Sequence, residues 1–147
     1  MSFLPPSMNH LYRGSPASAW FLSLYGVLEL GPGLMHFLLP DGGAQTIAGL
    51  ALTDDEHVVI GTFAWMGALQ IAHGLALLAI AAWYRPLVPL FLSLALAERV
   101  LMAVAAWVTK ASPAGHHPPE HYASLMLVPL LAVFLALSVR AQSHPDD

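Results

Sequence analysis

Four long runs of apolar residues follow one another along the chain, with proline, glycine and polar residues between them. They cover roughly residues 17–39, 58–83, 87–108 and 122–139. A helix needs about 20 mainly apolar residues to cross a hydrocarbon layer about 30 Å thick, and each run is close to that length. The pattern therefore predicts an all-α integral membrane protein, with residues 1–147 forming a single transmembrane domain, a four-helix bundle.

Two further features of this pattern concern how the helices pack. Residues 44–52 are mildly apolar but too short to cross, so we expect a short helix at the outer membrane interface. The second run has an alanine at every fourth position, at residues 64, 68, 72 and 76. Small residues at this spacing let a neighbouring helix approach closely, and we expect helix packing along this stripe.

Composition supports the membrane assignment. Hydrophobic residues make up 57% of the chain and charged residues only 10%, against about 25% in a typical soluble domain. The lipid bilayer is therefore the expected surrounding of the helices. The net charge of −4, with five Lys and Arg residues, argues against nucleic-acid binding, which needs a basic surface. The chain has no cysteine, which excludes disulfides, thiolate metal sites and cysteine nucleophiles.

The few basic residues indicate an orientation. With four spans, Arg13, Arg85 and Arg140 fall on one side of the membrane and Lys110 on the other. Loops rich in Lys and Arg stay on the cytoplasmic side. We therefore predict that the N- and C-termini are both cytoplasmic.

Polar side chains interrupt the first three runs: Glu29 and His36, then Gln70 and His73, then Glu98 and Arg99. Such groups are costly in hydrocarbon, so they are expected to face the bundle interior and to indicate function. At 1.5 Å of rise per residue, four of them lie about 15–18 Å from the outer ends, namely Glu29, Gln70, Glu98 and Arg99. His73 is placed about one turn further in, and His36 within about 6 Å of the outer boundary.

Two hypotheses follow from this common level. Arg99 offers one positive charge against the carboxylates of Glu29 and Glu98, which leaves an excess negative charge in the bundle. Under the first hypothesis Glu29, Glu98 and His73 share a proton, and with Arg99 they are the candidate catalytic residues. Under the second, Arg99 and the glutamates form a structural clamp that Gln70 supports through a hydrogen bond. The sequence leaves both open.

The first span also carries a kink. Pro32 removes a backbone donor and frees a carbonyl, which is tolerated at this depth beside protein or a wet cavity. Tyr25, Glu29 and His36 share the face of the helix that bears Pro32. Prolines are common in transmembrane helices, and a simple kink is the plainer explanation of Pro32. If the face lines a pocket, the candidate ligand-binding residues are Tyr25, Glu29, His36, Gln70, His73, Glu98 and Arg99.

Histidines raise the question of a metal or haem. His36 and His73 differ in depth by about 15 Å, so the two cannot ligate one haem between them. His116, His117 and His121 are ligand types suited to zinc or copper, but their spacing matches no established site. We read that segment as a solvated loop. No metal site is predicted, and the cofactor, if there is one, stays unidentified.

Three segments carry a family resemblance. They are Gly-Leu-Met-His-Phe-Leu-Leu-Pro at Gly33–Pro40, followed by the interfacial segment, a second span with Gly67 and Gly74, and Glu98-Arg99 in the third span. In these features the chain resembles the DoxX-like superfamily of small bacterial membrane proteins. The resemblance implies a four-helix fold in the bacterial cytoplasmic (inner) membrane and, from some members, a quinone-linked or redox-accessory role. The cysteines of thiol-handling relatives are missing, which argues against thiol chemistry.

Two classes of function follow. Short loops and the lack of a soluble domain favour an accessory subunit of a larger membrane complex, of redox, transport or photosynthetic type. The alternative is a membrane-embedded binding protein, or an enzyme of isomerase or oxidoreductase type, that uses the buried cluster on a lipophilic ligand such as a quinone, an isoprenoid or a sterol-like molecule. Either could be a homo-oligomer. The sequence does not decide whether the chain is an enzyme.

Overall fold

The computed structural model describes residues 4–52, 56–112 and 115–140. Within these ranges the chain forms four long helices and no strand: α1 (Pro16–Leu38), α2 (Glu56–Trp83), α3 (Val88–Val104) and α4 (Pro119–Val139). The third helix is preceded by a 3-10 turn at Arg85–Leu87 and continues as a π-helical turn at Ala105–Thr109. Counted with these turns, all four helices are long and apolar enough to cross a membrane. The predicted all-α chain with four span-length helices is confirmed.

Helices α1 and α2 pack backbone against backbone through two pairs of glycines. A Cβ atom added at Gly67 would lie 2.7 Å from the carbonyl oxygen of Gly33, and one added at Gly74 would lie 2.8 Å from that of Gly26. The pairs are seven residues apart in both helices and run in opposite directions. The first two helices therefore form a tight antiparallel hairpin that depends on the missing side chains.

The alanine stripe does not make this contact. Ala72 and Ala76 are exposed on the outside of the hairpin. The predicted packing along the stripe is wrong for this pair of helices, because glycine allows a closer approach than alanine and the glycine face is the one that turns inward.

Helices α3 and α4 form the second hairpin, and α1 joins the two. Each helix contributes a fully buried leucine to a common core, namely Leu22, Leu77, Leu92 and Leu131. Phe21 of α1 stacks on Phe134 of α4, with ring centroids 4.0 Å apart. Contact between α2 and α3 is slight by comparison, so a gap remains between these helices along the side of the bundle.

The N-terminal segment, the α2–α3 turn and the last turn of α4 meet at one end of the bundle. The backbone N–H of Met8 donates to the carbonyl of Trp83 at 3.0 Å, and that of Ser15 donates to Leu137 at 3.2 Å. Arg13, Arg85 and Arg140 consequently lie at the same end. Residues 1–3 and 141–147 fall outside the described ranges, and the cytoplasmic position of this end stays a prediction.

A compact loop closes the opposite end of the first hairpin. The carboxylate of Asp41 accepts hydrogen bonds from the backbone N–H groups of Thr46 (2.7 Å), Gly43 (3.0 Å) and Gln45 (3.0 Å). These donors, Thr46 first, lower the pKa of Asp41 to about 2. Residues 44–48 form consecutive hydrogen-bonded turns rather than a regular helix. Their position at the membrane interface stays a prediction.

Candidate functional site

Arg99 is the centre of a polar network that joins three helices. It is only 3% exposed, and its Nε atom donates to the hydroxyl of Tyr25 at 2.7 Å. Its two terminal nitrogens donate to Glu29 of α1 and Glu120 of α4. The guanidinium carbon also lies 5.4 Å from the centre of the Tyr25 ring, which adds a cation–π contact. One side chain of α3 is thereby tied to α1 and α4.

The predicted site did not include Glu120. The sequence predicts a solvated loop as far as His121 and a fourth span that starts near residue 122 and holds no ionisable group. In the structure α4 begins at Pro119, which puts Glu120 in its first turn. Proline at the first helical position followed by an acidic residue is typical of a helix start, and this signal could have identified Glu120.

Next to this network, His73 of α2 faces Glu98 of α3 across the gap. The Nδ1 atom of His73 lies 3.6 Å from Oε2 of Glu98, which is longer than a hydrogen bond. The side chains are 28% and 39% exposed. One ligand-type atom from each of Glu29, His73 and Glu98 lies within 4.8 Å of the other two. The expected meeting of polar groups from three helices is therefore present.

The depth predicted for His73 needs correction. The glycine contacts place Gly33 opposite Gly67 and Gly26 opposite Gly74. Because the helices are antiparallel, Glu29, four residues before Gly33, lies opposite residue 71, four residues after Gly67. His73 is then only about 3 Å from the level of Glu29, not a full turn deeper. The prediction from helical rise assumes that both helices start at the same level, whereas the glycine contacts set the register of the hairpin.

Three buried polar atoms have no hydrogen-bond partner in the described part of the chain. They are Oε2 of Glu29, Oε1 of Gln70 and Oγ of Ser124. Leaving a buried polar atom unpaired costs about 1–3 kcal/mol, more for a charged group. Such atoms are rare in folded proteins and call for an explanation, such as a bound water, ion or ligand.

A cavity of about 490 Å³ lies between the two hairpins, towards the end that holds the Asp41 loop. Its wall is largely apolar, with Met35, Phe63, Met66 and Met102 among the lining residues. Gln70, Glu120 and Ser124 also line it and supply polar groups. Two of the unpartnered atoms therefore belong to residues of the cavity wall. Through Glu120 the cavity also adjoins the Arg99 network.

Histidines hold the loops that border the cavity. His36 contacts the carbonyl oxygen of Gly42 through Nδ1 at 2.7 Å, and Nε2 of His116 lies 2.8 Å from that of Ala48. His117 stacks on Trp107 with ring centroids 3.9 Å apart, and its Nδ1 lies 3.1 Å from that of His121. The predicted solvated loop is in fact packed against its neighbours. Each of these histidines contacts another part of the protein, and the prediction that they hold no metal stays a prediction.

The structure divides the predicted ligand-binding residues between two places. Around Arg99 it brings together Tyr25, Glu29, His73 and Glu98, whereas His36 and Gln70 line the cavity. No family model, curated protein or solved structure matches the chain. The resemblance to the DoxX-like superfamily therefore stays a prediction that rests on the residues quoted for it.

Proposed function

We propose that this protein binds a lipophilic molecule with a polar end group in the cavity between its two helical hairpins. The observation that carries the proposal is an apolar cavity whose wall includes two residues with unpartnered buried polar atoms, Gln70 and Ser124. A ligand that enters from the bilayer would leave its apolar part against methionine and phenylalanine side chains. Rotation of the Gln70 and Ser124 side chains, whose unpartnered oxygens are buried behind the wall, would present the amide and the hydroxyl to its polar end.

Size and wall composition support a ligand site. A volume of about 490 Å³ lies within the range of roughly 300–1,000 Å³ that is usual for small-molecule pockets. Methionine side chains are flexible and adapt to irregular apolar ligands. The π-helical turn at Ala105–Thr109 also contributes to the wall, through Ala105 and Ala106, and such turns occur frequently at functional sites.

Hydrogen-bonding capacity narrows the class of ligand. The unpartnered atom of Gln70 is an acceptor, Ser124 can donate or accept, and the Glu120 carboxylate is an acceptor. A ligand hydroxyl can donate to one of these groups and accept from Ser124. Among quinone, isoprenoid and sterol-like molecules, the hydroxyl-bearing forms fit these three groups best: a quinol, an isoprenoid alcohol or a sterol. Lys110 also lines the cavity and adds a donor that an oxygen of the same end group can accept from.

Catalysis would be an extension of this binding role. Glu120 lines the cavity and is tied to Glu29 through Arg99, so a carboxylate stands where it could exchange a proton with a bound hydroxyl. The accessory-subunit role stays a prediction. A buried Arg99 clamp is expected under either role and does not distinguish them, whereas the cavity favours ligand binding. By the positive-inside rule, we place the end with Arg13, Arg85 and Arg140 in the cytoplasm, and the resemblance favours a bacterial inner membrane.

A cavity-filling substitution tests the proposal. The probes are a quinol analogue, a long isoprenoid alcohol and a sterol, each added to the purified chain in mild detergent while thermal unfolding is followed. A ligand at 100 times its dissociation constant stabilises the folded state by about 2.7 kcal/mol. Ala123→Leu places a larger side chain in the cavity wall and should weaken binding about tenfold or more.

Ala132→Leu provides the matched control, because residue 132 is exposed on the same helix. This variant should respond to the probes as the unmodified chain does. If none of the three probes stabilises the unmodified chain, or if both leucine variants lose the response equally, the cavity is not the binding site.

A further inference from the structure

We propose that Glu29, His73 and Glu98 bind one divalent first-row transition-metal ion, at a site separate from the cavity. The three residues come from α1, α2 and α3, and a ligand-type atom of each lies within 4.8 Å of the other two. His73 and Glu98 do not line the cavity. The inference therefore does not depend on the proposed lipophilic ligand.

The separation of His73 and Glu98 fits two ligands of one ion better than a direct contact. Their nearest nitrogen and oxygen are 3.6 Å apart, too far for a hydrogen bond. Two atoms that lie 3.6 Å apart and each about 2.1 Å from an ion subtend an angle of about 120° at it, close to tetrahedral or trigonal geometry. Donors at such bond lengths are about 3.4–3.6 Å apart in these geometries, so a pair spaced as widely as 4.8 Å must close by roughly 1.2–1.4 Å. Side-chain rotation can supply this movement.

Glu29 supplies the independent indication that something else binds here. The residue is only 2% exposed, and Arg99 donates to its Oε1 atom. Its second oxygen, Oε2, is buried and has no hydrogen-bond partner in the described part of the chain. A carboxylate that is held by one oxygen and free at the other is a typical arrangement for a metal ligand oriented by a neighbouring side chain.

Formal charges point in the same direction. The cluster and its neighbours hold three carboxylates, from Glu29, Glu98 and Glu120, against the single guanidinium of Arg99. With His73 neutral, as a metal ligand must be, two negative charges remain unbalanced. One divalent cation cancels them. The balance matters most for Glu29, which is buried, because unpaired buried charge is strongly destabilising, and less for Glu98 and Glu120, which are 39% and 37% exposed.

The donor set narrows the choice of ion. Two carboxylates and one imidazole suit zinc, iron(II), manganese(II) or cobalt(II), and without cysteine the site has none of the thiolates that select copper(I) or iron–sulfur clusters. Three protein ligands leave at least one coordination position open. His73 and Glu98 are partly exposed between α2 and α3, so the open position faces the side of the bundle and a small ligand can approach it from there.

The test uses zinc and cobalt(II) as probes on the full chain in mild detergent, after treatment with a chelator. We expect about one ion per chain by elemental analysis, and a visible ligand-field spectrum with cobalt. X-ray absorption at the zinc edge should show only oxygen and nitrogen neighbours, with one imidazole per ion. Two or more imidazoles per ion would place the metal at the outer histidines and overturn the proposal, and this result needs no variant.

Variants locate the ion independently. His73→Ala and Glu98→Gln should each weaken zinc binding by more than the 10–100-fold that is usual for changes next to a metal site. His121→Ala is the matched histidine control. Glu56→Gln is the matched carboxylate control, since Glu56 is exposed in the first turn of α2 and belongs neither to the cluster nor to the cavity wall. Binding that survives both cluster variants, in chains that still elute as folded protein, would refute the assignment, as would failure of the unmodified chain to bind either ion.

Discussion

Replacing Arg99 with methionine keeps much of the side-chain volume but removes the guanidinium that joins α1, α3 and α4. The carboxylate of Glu29 is then left 2% exposed and without its charged partner. Removing one member of a buried ion pair typically costs about 3–5 kcal/mol, because the remaining charge stays desolvated. Glu120 adds less, since its side chain is 37% exposed and can be solvated by water at the cavity. We therefore expect Arg99→Met to lower the free energy of unfolding by about 3–5 kcal/mol.

The assay is reversible unfolding in mixed micelles with a chelator present, so that no metal ion contributes. Arg85→Met is the matched control. Arg85 lies in the turn between α2 and α3, and its Nε atom donates to the carbonyl of Ala81 in α2. The loss of this hydrogen bond should cost less than about 2 kcal/mol. A double-mutant cycle then isolates the charge effect. Glu29→Gln, made together with Arg99→Met, removes the stranded charge and should recover part of the loss, with a coupling of about 0.5–3 kcal/mol.

The clamp would be refuted in either of two ways. Arg99→Met could cost no more than Arg85→Met, which would mean that the buried network contributes little. Alternatively, Glu29→Gln could add its full cost in the Arg99→Met background, which would mean that the two side chains act independently.

Two further predictions concern packing and pH. Gly67→Ala should lower the free energy of unfolding by about 1–3 kcal/mol, because its new Cβ would meet the carbonyl oxygen of Gly33 at 2.7 Å. Gly61→Ala is the control and should be neutral or stabilising, because nothing lies within 4 Å of a Cβ at that position. Equal effects of the two variants on the free energy of unfolding would contradict the glycine register. Asp41 has a pKa of about 2 in the folded loop against an ordinary 3.8, so its carboxylate stabilises the loop above pH 4 and this effect is lost as the pH falls towards 2. The amide NMR shift of Gly43 should titrate with a midpoint near 2, and Asp41→Asn should abolish the titration.

The helices and part of the polar cluster could be predicted because each rests on a strong local signal. Long apolar runs predict spans, and a charged group within a span is costly enough to require a partner. For this reason Glu29, Glu98 and Arg99 were expected to meet, and two of them pair directly in the structure. Their common level followed from helical rise alone.

The parts that were missed depend on information that is not local. The alanines of α2 predict close packing against a neighbouring helix, whereas Gly67 and Gly74 make the contact with α1 in the structure. Both patterns are small-residue repeats, and only the partner helix distinguishes them. The depth of His73 depended on the same register. Glu120 was assigned to a loop because the surrounding prolines and histidines mask a helix start. The cavity depends on how two hairpins lean together, which no local pattern encodes.

Native mass spectrometry of the chain, extracted gently from its own membrane, tests the central claim most directly. If the cavity binds a lipophilic molecule, the spectrum should show the protein or a small homo-oligomer carrying a discrete extra mass. That mass should be extractable into organic solvent and much reduced in Ala123→Leu but not in Ala132→Leu. A chain that carries no extra mass and appears only within a larger assembly of defined composition would contradict the ligand site and support the accessory-subunit role.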